Sequence, residues 1–368
     1  MLRQLARLTR PVDAAPGAVA IAVYADAAGV PIPATDRGHE GVACVDDAAR
    51  ALALLCDLWG ATRLPVIRVW AAALLEFVLY MQDGEGRFVN FVSDWSGTRN
   101  VDGPTSSFAG GSFWHARGVH GIARASLRFD DPRISAGLLR GMAQLRGVEA
   151  PANVRAIHVL TAVELLRAGR MPELRPDLEA WCEELAACRH DGVLFDDPDQ
   201  HEPHLWAHVQ EGALAEAGAY LRRDDLVQIA RESAIRYLAP PIESGFDLPA
   251  VQPYGVACAL FGVERLAAVT GEPRFTQLSE RARAWFHGRS AAGRPVYDRT
   301  AGRAHDGIDA GVVNEHSGAE SNIAAAEALL PELVRTTADH AAAIERDLPA
   351  MLSGAASPRP TARVQGAA

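Results

Sequence analysis

Acidic side chains near the starts of apolar helical segments are the first residues of this sequence that could carry out chemistry. Asp46 and Asp47 open one such segment, and Glu320 opens another. Paired carboxylates act as general acid, general base or nucleophile in the cleavage of glycosidic bonds. We therefore predict Asp47 and Glu320 as catalytic residues, with Asp306, in a Gly-containing turn, as the next candidate.

Each of these acids also has a purely structural explanation. Asp46 or Asp47 could cap a helix, Glu320 could be a first-turn acid that favours the helix dipole, and Asp306 could form a turn. Adjacent residues of a helix diverge by about 100°, so Asp46 and Asp47 cannot share one environment. We expect Asp47 to face the site and Asp46 to bind substrate.

Histidines offer a second kind of chemistry, since imidazole transfers protons at neutral pH. We predict His115 as a further catalytic residue, and sugar isomerisation or epimerisation as the alternative to hydrolysis. Aromatic faces stack on sugar rings, and polar side chains bind hydroxyl groups. On that basis the expected substrate-binding residues are Asp46, Trp95, Trp114, Arg117, Trp206, His208, Glu211, Gln252, Tyr254, Asn314 and His316.

One histidine-rich segment has part of a metal-binding pattern. His204 and His208 are four residues apart, a spacing used for zinc, and His201 precedes them. Pro203 interrupts the segment, and the His-Glu-x-x-His order is missing. The acidic run 196–199 could hold magnesium and a diphosphate, but it lies in an expected loop. Neither a phosphate-binding loop with its lysine nor a nucleophile elbow occurs. We predict no metal site and no cofactor.

The elements that must position these residues are helices. Apolar residues recur at spacings of three and four, and Gly, Pro or Asp-Pro interrupts them, including at Pro240-Pro241. Ala and Leu dominate, and hydrophobic residues make up 49% of the 368 residues, as in ordinary globular proteins. The pattern predicts about twelve helices in six hairpins: 44–59, 64–82, 113–128, 133–146, 151–168, 175–189, 205–221, 224–237, 252–270, 274–288, 318–330 and 332–351.

Antiparallel helix pairs of this length can stack side by side and close into a ring. We therefore predict an all-α fold, an (α/α)6 toroid, with residues 1–352 as a single domain and 353–368 as a disordered tail. Strand signals are short, as in 87–92, which could form a small hairpin, and no βαβ rhythm appears. The longer loops, expected to wall one cleft, are 83–112, 190–204, 238–251 and 289–317.

Charge and hydropathy exclude several classes of partner. The formal net charge is -10, which argues against a nucleic-acid backbone or an anionic membrane as main partner. No apolar stretch is long enough to predict a membrane span. The five cysteines lack C-x-x-C spacing, and we expect a reduced, cytoplasmic location. They are Cys44, Cys56, Cys182, Cys188 and Cys258.

Several landmarks occur together in order along the chain. The stretch 39–52 contains Cys-Val-Asp-Asp-Ala-Ala-Arg-Ala-Leu, and 86–91 reads Gly-Arg-Phe-Val-Asn-Phe. Segments 206–214 and 246–254, Trp-Phe-His-Gly at 285–288 and Gly-Ala-Glu-Ser at 318–321 follow. Over residues 36–335 the chain resembles the bacterial six-hairpin, glycosidase-like domains found beside or fused to glycosyltransferases. The resemblance implies an (α/α)6 fold, a carbohydrate or glycosylated small-molecule ligand and a possible glycosyltransferase partner.

The chain departs from that pattern at acidic positions. Residues 111–117 read Gly-Ser-Phe-Trp-His-Ala-Arg, where the family carries Ser-Glu-Asp before His-Gly-Arg. Residues 252–255 read Gln-Pro-Tyr-Gly, where the family carries Gln-Pro-x-Glu. A hydrolase that depended on those acids would lose its general acid or base. Three functions are therefore expected in order: a glycoside hydrolase-like enzyme, a histidine-based sugar isomerase or epimerase, and a non-catalytic carbohydrate-binding partner of a glycosyltransferase.

Overall fold

The computed structural model describes residues 1–35, 40–102, 106–110, 112–200 and 202–353. The predicted disordered tail therefore lies, apart from Ser353, outside the described residues, as do His39 of the resemblance and His201 of the histidine-rich segment. None of the helices in the described ranges combines the length and the apolar character that crossing a membrane requires. That residues 1–352 form one domain stays a prediction.

Six helices form a closed inner ring. Each packs against the next in chain order, and the sixth packs against the first. Apolar faces, together with small residues such as Ala and Gly at the contacts, allow this close packing. The inner helices are α2 (Val45–Thr62), α4 (Phe113–Ser126), α6 (Ala152–Arg167), α8 (Gln210–Leu221), α11 (Pro253–Thr270) and α13 (Ala319–Ala328).

An outer layer of helices covers this ring. Apart from α10, which continues from α9, each outer helix follows an inner one and packs back against it, so the inner helices run parallel and their N-terminal ends share one side. Proline occupies the first turn of seven α-helices in the described ranges, where no backbone N–H is required. The outer helices are α3 (Pro65–Tyr80), α5 (Pro132–Ala143), α7 (Arg175–Ala187), α9 (Asp224–Ser233), α10 (Ala239–Glu243), α12 (Pro273–Phe286) and α14 (Leu330–Asp347).

The helix pattern differs from the prediction in three places. The expected break at Pro240-Pro241 is wrong: a π-helical turn over Ala234–Leu238 leads into α10, whose first turn accepts both prolines. Two short helices, α1 (Leu2–Leu8) and α15 (Ala350–Ser353), are additional. Helix α8 begins at Gln210 rather than at residue 205, which leaves Trp206 in the preceding turn.

Short antiparallel strand pairs decorate the helical ring. The pairs are β1 (Thr9–Pro11) with β2 (Val19–Ile21), β3 (Tyr24–Ala25) with β4 (Pro31–Ile32), β5 (Ala43–Cys44) with β6 (Phe91–Val92), β7 (Arg189–His190) with β8 (Val193–Leu194), and β10 (Tyr297–Asp298) with β11 (Arg303–Ala304). Strand β12 (Gly307–Asp309) lies between β13 (Val312–Asn314) and β9 (Ala250–Val251). The hairpin expected over 87–92 is replaced by the pairing of β6 with β5, which precedes α2.

The β5–β6 pair fixes the loop of residues 83–112 to the start of α2. Ala43 pairs with Val92, and Cys44 with Phe91. The backbone N–H of Val45 donates to the carbonyl of Asn90 at 2.7 Å. The apolar core between the layers is filled by large side chains, among them Trp70, Phe77 and Trp285, all fully buried. The strand pair therefore connects this loop to the N-terminal end of the ring.

Candidate active site

A cleft of about 900 Å³ opens at the N-terminal ends of the inner helices. This volume is typical of sites that bind small molecules. Its walls combine carboxylates, arginines, histidines and aromatic rings from α2, α4, α6 and α13 with the described part of the loop of residues 83–112. The predicted site residues that line it are Asp46, Asp47, Trp114, His115, Arg117, Trp206 and Glu320.

The two adjacent acids at the start of α2 have different environments. Cys44 caps the helix, because its Sγ accepts the backbone N–H of Asp47 at 3.4 Å. The Asp46 carboxylate forms an ion pair with Arg117. Asp47 is buried, and burial together with the nearby charge of Asp46 raises the pKa of its carboxyl to about 7. A group with that pKa is suited to proton transfer at neutral pH.

Two arginines lie at the bottom of the cleft: Arg117 lines it, and Arg50 packs beneath it. The guanidinium of Arg117 donates to the hydroxyl of Tyr254 at 2.5 Å, and that of Arg50 lies 4.1 Å from the centre of the Tyr254 ring. Arg50 also reaches two acids of α13, with nitrogen–oxygen distances of 3.4 Å to Glu320 and 3.7 Å to Glu327. Tyr254, predicted to stack on the ligand, therefore lies beneath the cleft, where it packs against both arginines.

Glu320 lies in the first turn of α13, the helix that closes the ring by packing against α2. Burial raises the pKa of the Glu320 carboxyl, and the charges of Arg50 and Arg117 partly oppose that shift. The negative charge of Glu320 in turn helps to raise the pKa of Asp47. The cleft therefore brings two interacting carboxylates together, one of which has an arginine partner.

Aromatic rings form part of the cleft wall and rim. Trp206 is 37% exposed and packs edge-on against Phe113 and Tyr254, with ring centres 5.2 and 5.6 Å apart. Trp114 is buried, and its indole donates to the carbonyl of Phe88 at 3.1 Å. Trp206 therefore offers the more accessible surface for stacking on a sugar ring.

Two histidines, His115 and His158, lie on the cleft wall formed by α4 and α6. Burial lowers the pKa of His115, and burial with the charge of Arg155 lowers the pKa of His158 to about 3. Both rings are therefore neutral at pH 7. His158 was not among the predicted site residues, because its sequence neighbours Ile157 and Val159 are apolar and form no catalytic pattern with it.

No protein-family model matches the chain, and no curated protein matches its sequence. Solved structures with a similar fold are known. A cellobiose 2-epimerase from Bacillus thermoamylovorans is 11% identical with a TM-score of 0.69, over 90% of this chain and 96% of that chain. A D-mannose isomerase is 10% identical with a TM-score of 0.67, over 91% and 95%.

A family 76 glycoside hydrolase from a bovine Bacteroides thetaiotaomicron strain is 11% identical, with a TM-score of 0.60, over 89% of this chain and 75% of that chain. At such identities the likeness establishes the fold alone. The chain has the (α/α)6 toroid architecture of sugar-processing enzymes, and the predicted fold class is confirmed.

Three predicted residues of the C-terminal loop do not line the cleft. Asp306 accepts the backbone N–H of Gly318 at 2.8 Å and so stabilises the start of α13. The Asn314 side chain donates to Asp309 at 3.4 Å, and His316 is exposed. This loop positions Glu320 through backbone contacts.

His208 and Glu211 form a separate buried network. The Nε2 of His208 lies 2.9 Å from a Glu211 oxygen, and the hydroxyl of Ser233 donates to the same oxygen at 2.6 Å. Both lie behind the cleft wall, between α8 and α9. His204 instead pairs with Asp196 at 2.9 Å, so the two histidines of the metal-like spacing have different partners.

Gln252 and Trp95 complete the predicted set. Gln252 is exposed at the start of α11, and Trp95 packs against the apolar core near the N-terminal strands. Neither lines the cleft. The lining residues that sequence reasoning missed come from segments without a catalytic pattern: Val23 and Tyr24, Asn90, Phe108, and the stretch 144–150 after α5.

A second cavity, of about 470 Å³, lies on the other side of Arg50 and Arg117, towards the C-terminal ends of the inner helices. Charged side chains, including Asp57 and Arg124, line it together with apolar residues of α11. Arg117 contributes to both cavities. Arg117 is thus shared between the cleft and this second cavity, the axial chamber, and Arg50 lines the axial chamber alone.

Proposed function

We propose that this protein is a carbohydrate-active enzyme that cleaves a glycosidic bond in the cleft by acid–base catalysis. One observation carries the proposal: Asp47, buried on the cleft wall with a pKa near 7, interacts with the carboxylate of Glu320. Environments that separate the roles of two carboxyl groups are a signature of acid and base assignments.

In this function Asp47 is the proton donor. Its protonated form gives a proton to the glycosidic oxygen as the bond to the anomeric carbon breaks. The Glu320 carboxylate, with Arg50 nearby, stabilises the developing positive charge or activates water. Trp206 stacks on the sugar ring at the cleft rim. Whether the product retains or inverts its configuration follows from which of these roles Glu320 takes.

The test is a turnover screen of purified protein against a panel of glycosides, read by mass spectrometry, with NMR for the anomer first formed. Asp47→Asn should reduce the rate by about 10² or more, and Glu320→Gln should also reduce it strongly. Asp309→Asn is the matched control, because that carboxylate is exposed, lies outside the cleft and should leave turnover nearly unchanged. Equal losses in all three variants would contradict the assignment.

A sugar isomerase or epimerase is the second candidate function. The observation in its favour is His115, a neutral imidazole on the cleft wall whose buried Nδ1 has no hydrogen-bond partner among the described residues. Such a group can accept a proton from carbon next to a carbonyl. This function predicts mass-neutral conversion of free sugars, resolved by chromatography, that is lost in His115→Gln and survives in Glu320→Gln. Binding of sugars without turnover would favour a non-catalytic role; the glycosyltransferase partner stays a prediction.

A further inference from the structure

His115 and His158 occupy a part of the cleft distinct from the carboxylates. The charges that act on Asp47 come from Asp46, Arg50 and Glu320, whereas His115 interacts with Gly141 and the loop before β6. Glycoside hydrolysis by Asp47 and Glu320 does not use either histidine. Their hydrogen bonds nevertheless define what each ring can offer a ligand.

The contacts of His115 fix its tautomer. Its Nε2 lies 3.2 Å from the carbonyl oxygen of Gly141 in α5, and a carbonyl only accepts, so Nε2 carries the proton. Its Nδ1 is buried and has no protein partner in the described part of the chain. A second proton there would be a buried, unpartnered charge, which is costly. His115 is therefore neutral, and Nδ1 is an unused hydrogen-bond acceptor.

The contacts of His158 fix the opposite arrangement. Its Nδ1 lies 3.1 Å from a guanidinium nitrogen of Arg155, and a guanidinium only donates, so Nδ1 is unprotonated. The proton of the neutral ring is then on Nε2, which has no protein partner among the described residues. His158 therefore holds an unused donor on the wall that also holds the unused acceptor of His115.

The charged groups around these two rings disfavour an anionic ligand. Arg155 is engaged by His158, by the carbonyl of Val148 and by Glu184. Arg87, which lines the same cleft, pairs with Asp83 and Glu85. The carboxylate of Glu149 also lines this region.

We infer that His115 and His158 form a subsite for the hydroxyl groups of an uncharged sugar unit. A hydroxyl is both donor and acceptor, so it can donate to Nδ1 of His115 while it or a neighbouring hydroxyl accepts from Nε2 of His158. The cost of leaving the buried Nδ1 of His115 unpaired in the free protein is then recovered on binding. The inference rests on the proposed function of the cleft, and it names neutral rather than acidic or phosphorylated sugars as the substrate class.

Glutamine and asparagine substitutions test the two rings in opposite senses. The amide nitrogen of Gln takes the place of Nε2, and the oxygen of Asn takes the place of Nδ1. His115→Gln therefore keeps the bond to Gly141 and loses the acceptor, whereas His115→Asn keeps the acceptor. His158→Asn loses the donor, whereas His158→Gln keeps it.

Binding is measured by titration calorimetry in an Asp47→Asn background, so that turnover does not interfere. The neutral probes are cellobiose and methyl glucoside, and the charged probes are glucuronic acid and glucose 6-phosphate. Neutral probes should bind more tightly than charged ones. His115→Gln and His158→Asn should weaken neutral binding about three- to ten-fold, and His115→Asn and His158→Gln should retain it. Thermal melts identify any variant that fails to fold. If a variant of one histidine does not fold, the two variants of the other histidine still compare a ring that has lost its hydrogen-bonding group with one that has kept it.

Three results would overturn the inference: tighter binding of the charged probes, no binding of a neutral probe, or equal losses in the four variants. Failure of the proposed function is separable from these. If Asp47→Asn retains full turnover, but neutral sugars bind more weakly only to His115→Gln and His158→Asn, the hydrolytic assignment falls and the subsite stands. If Asp47→Asn abolishes turnover, but the four histidine variants do not differ in their binding of neutral sugars, the subsite falls and the proposed function stands.

Discussion

Asp46 and Asp47 are neighbours in the chain, yet in the described structure Asp46 forms an ion pair with Arg117 and Asp47 forms none. The start of α2 directs the carboxylate of Asp46 towards Arg117 and buries that of Asp47 on the cleft wall. Their different partners, rather than their residue type, give them different chemistry. This difference has consequences for both stability and rate.

The stability of the protein should depend on pH through Asp47. Its folded-state pKa, about 7, lies above the ordinary value of 3.8, so the folded state binds the proton more tightly than the unfolded state. Stability therefore falls as pH rises from about 4 to about 7 and then levels off, a loss on the order of 4 kcal/mol for this group. Urea denaturation of wild type and Asp47→Asn between pH 4 and 8.5 measures it; a difference that does not change with pH would contradict the burial of Asp47.

The rate should depend on pH through the same group. If protonated Asp47 donates to the leaving oxygen, kcat/KM falls as pH rises through about 7. A pH profile on a cleaved glycoside checks this. For the alternative isomerase, kcat/KM would not fall in this way, since His115 would have to be unprotonated to act as a base. A kcat/KM that rises through neutral pH would oppose the hydrolytic assignment.

Arg50 should be a structural requirement of the cleft floor. Arg50→Met leaves Glu320 and Glu327 without their shared cation, and we expect a loss of about 3 kcal/mol in the free energy of unfolding. Arg50→Lys, the matched control, keeps the charge but not the forked geometry, so it should lose less. Denaturant titration at pH 7 measures both. Equal stability of Arg50→Met and wild type would show that the two carboxylates do not depend on Arg50.

Gly41 should be required for the strand pair that anchors the site. Its φ is +151°, and a Cβ there would overlap the carbonyl oxygen of Val92. Gly41→Ala should cost about 1–3 kcal/mol and disturb the start of α2. Gly84→Ala is the control, because a Cβ at Gly84 meets no atom within 4 Å, and it should be nearly neutral. Thermal unfolding of both variants decides the matter, and comparable melting temperatures would refute the steric argument.

Trp206 should contribute to affinity more than to fold. It is 37% exposed, and its ring edge rests on Phe113 and Tyr254. Trp206→Ala should raise KM about ten-fold by removing the stacking surface, whereas Trp206→Phe should keep part of it. Steady-state kinetics on one glycoside would measure the effect. An unchanged KM in Trp206→Ala would place the sugar elsewhere in the cleft.

Sequence periodicity predicted the ring of helices well, because inner and outer helices both need an apolar stripe of period 3.6 and interruptions between them. The helix break predicted at Pro240-Pro241 was wrong, since a proline in the first turn of a helix does not break it. The cleft was predicted in part: Asp46, Asp47 and Glu320 head helices, a position that sequence can identify. His158 and Phe108 could not be found, because neither belongs to a local chemical pattern and only the closure of the ring brings them to the cleft.

The guanidinium groups of Arg50 and Arg117 lie between the cleft and the axial chamber. Arg117 lines both the cleft and the axial chamber, and Arg50 lines the axial chamber. Acids from α2 and α13 hold these guanidinium groups in place. The boundary between the two cavities therefore consists in part of paired charges on side chains, and a substitution at Arg117 would change the lining of both cavities at once.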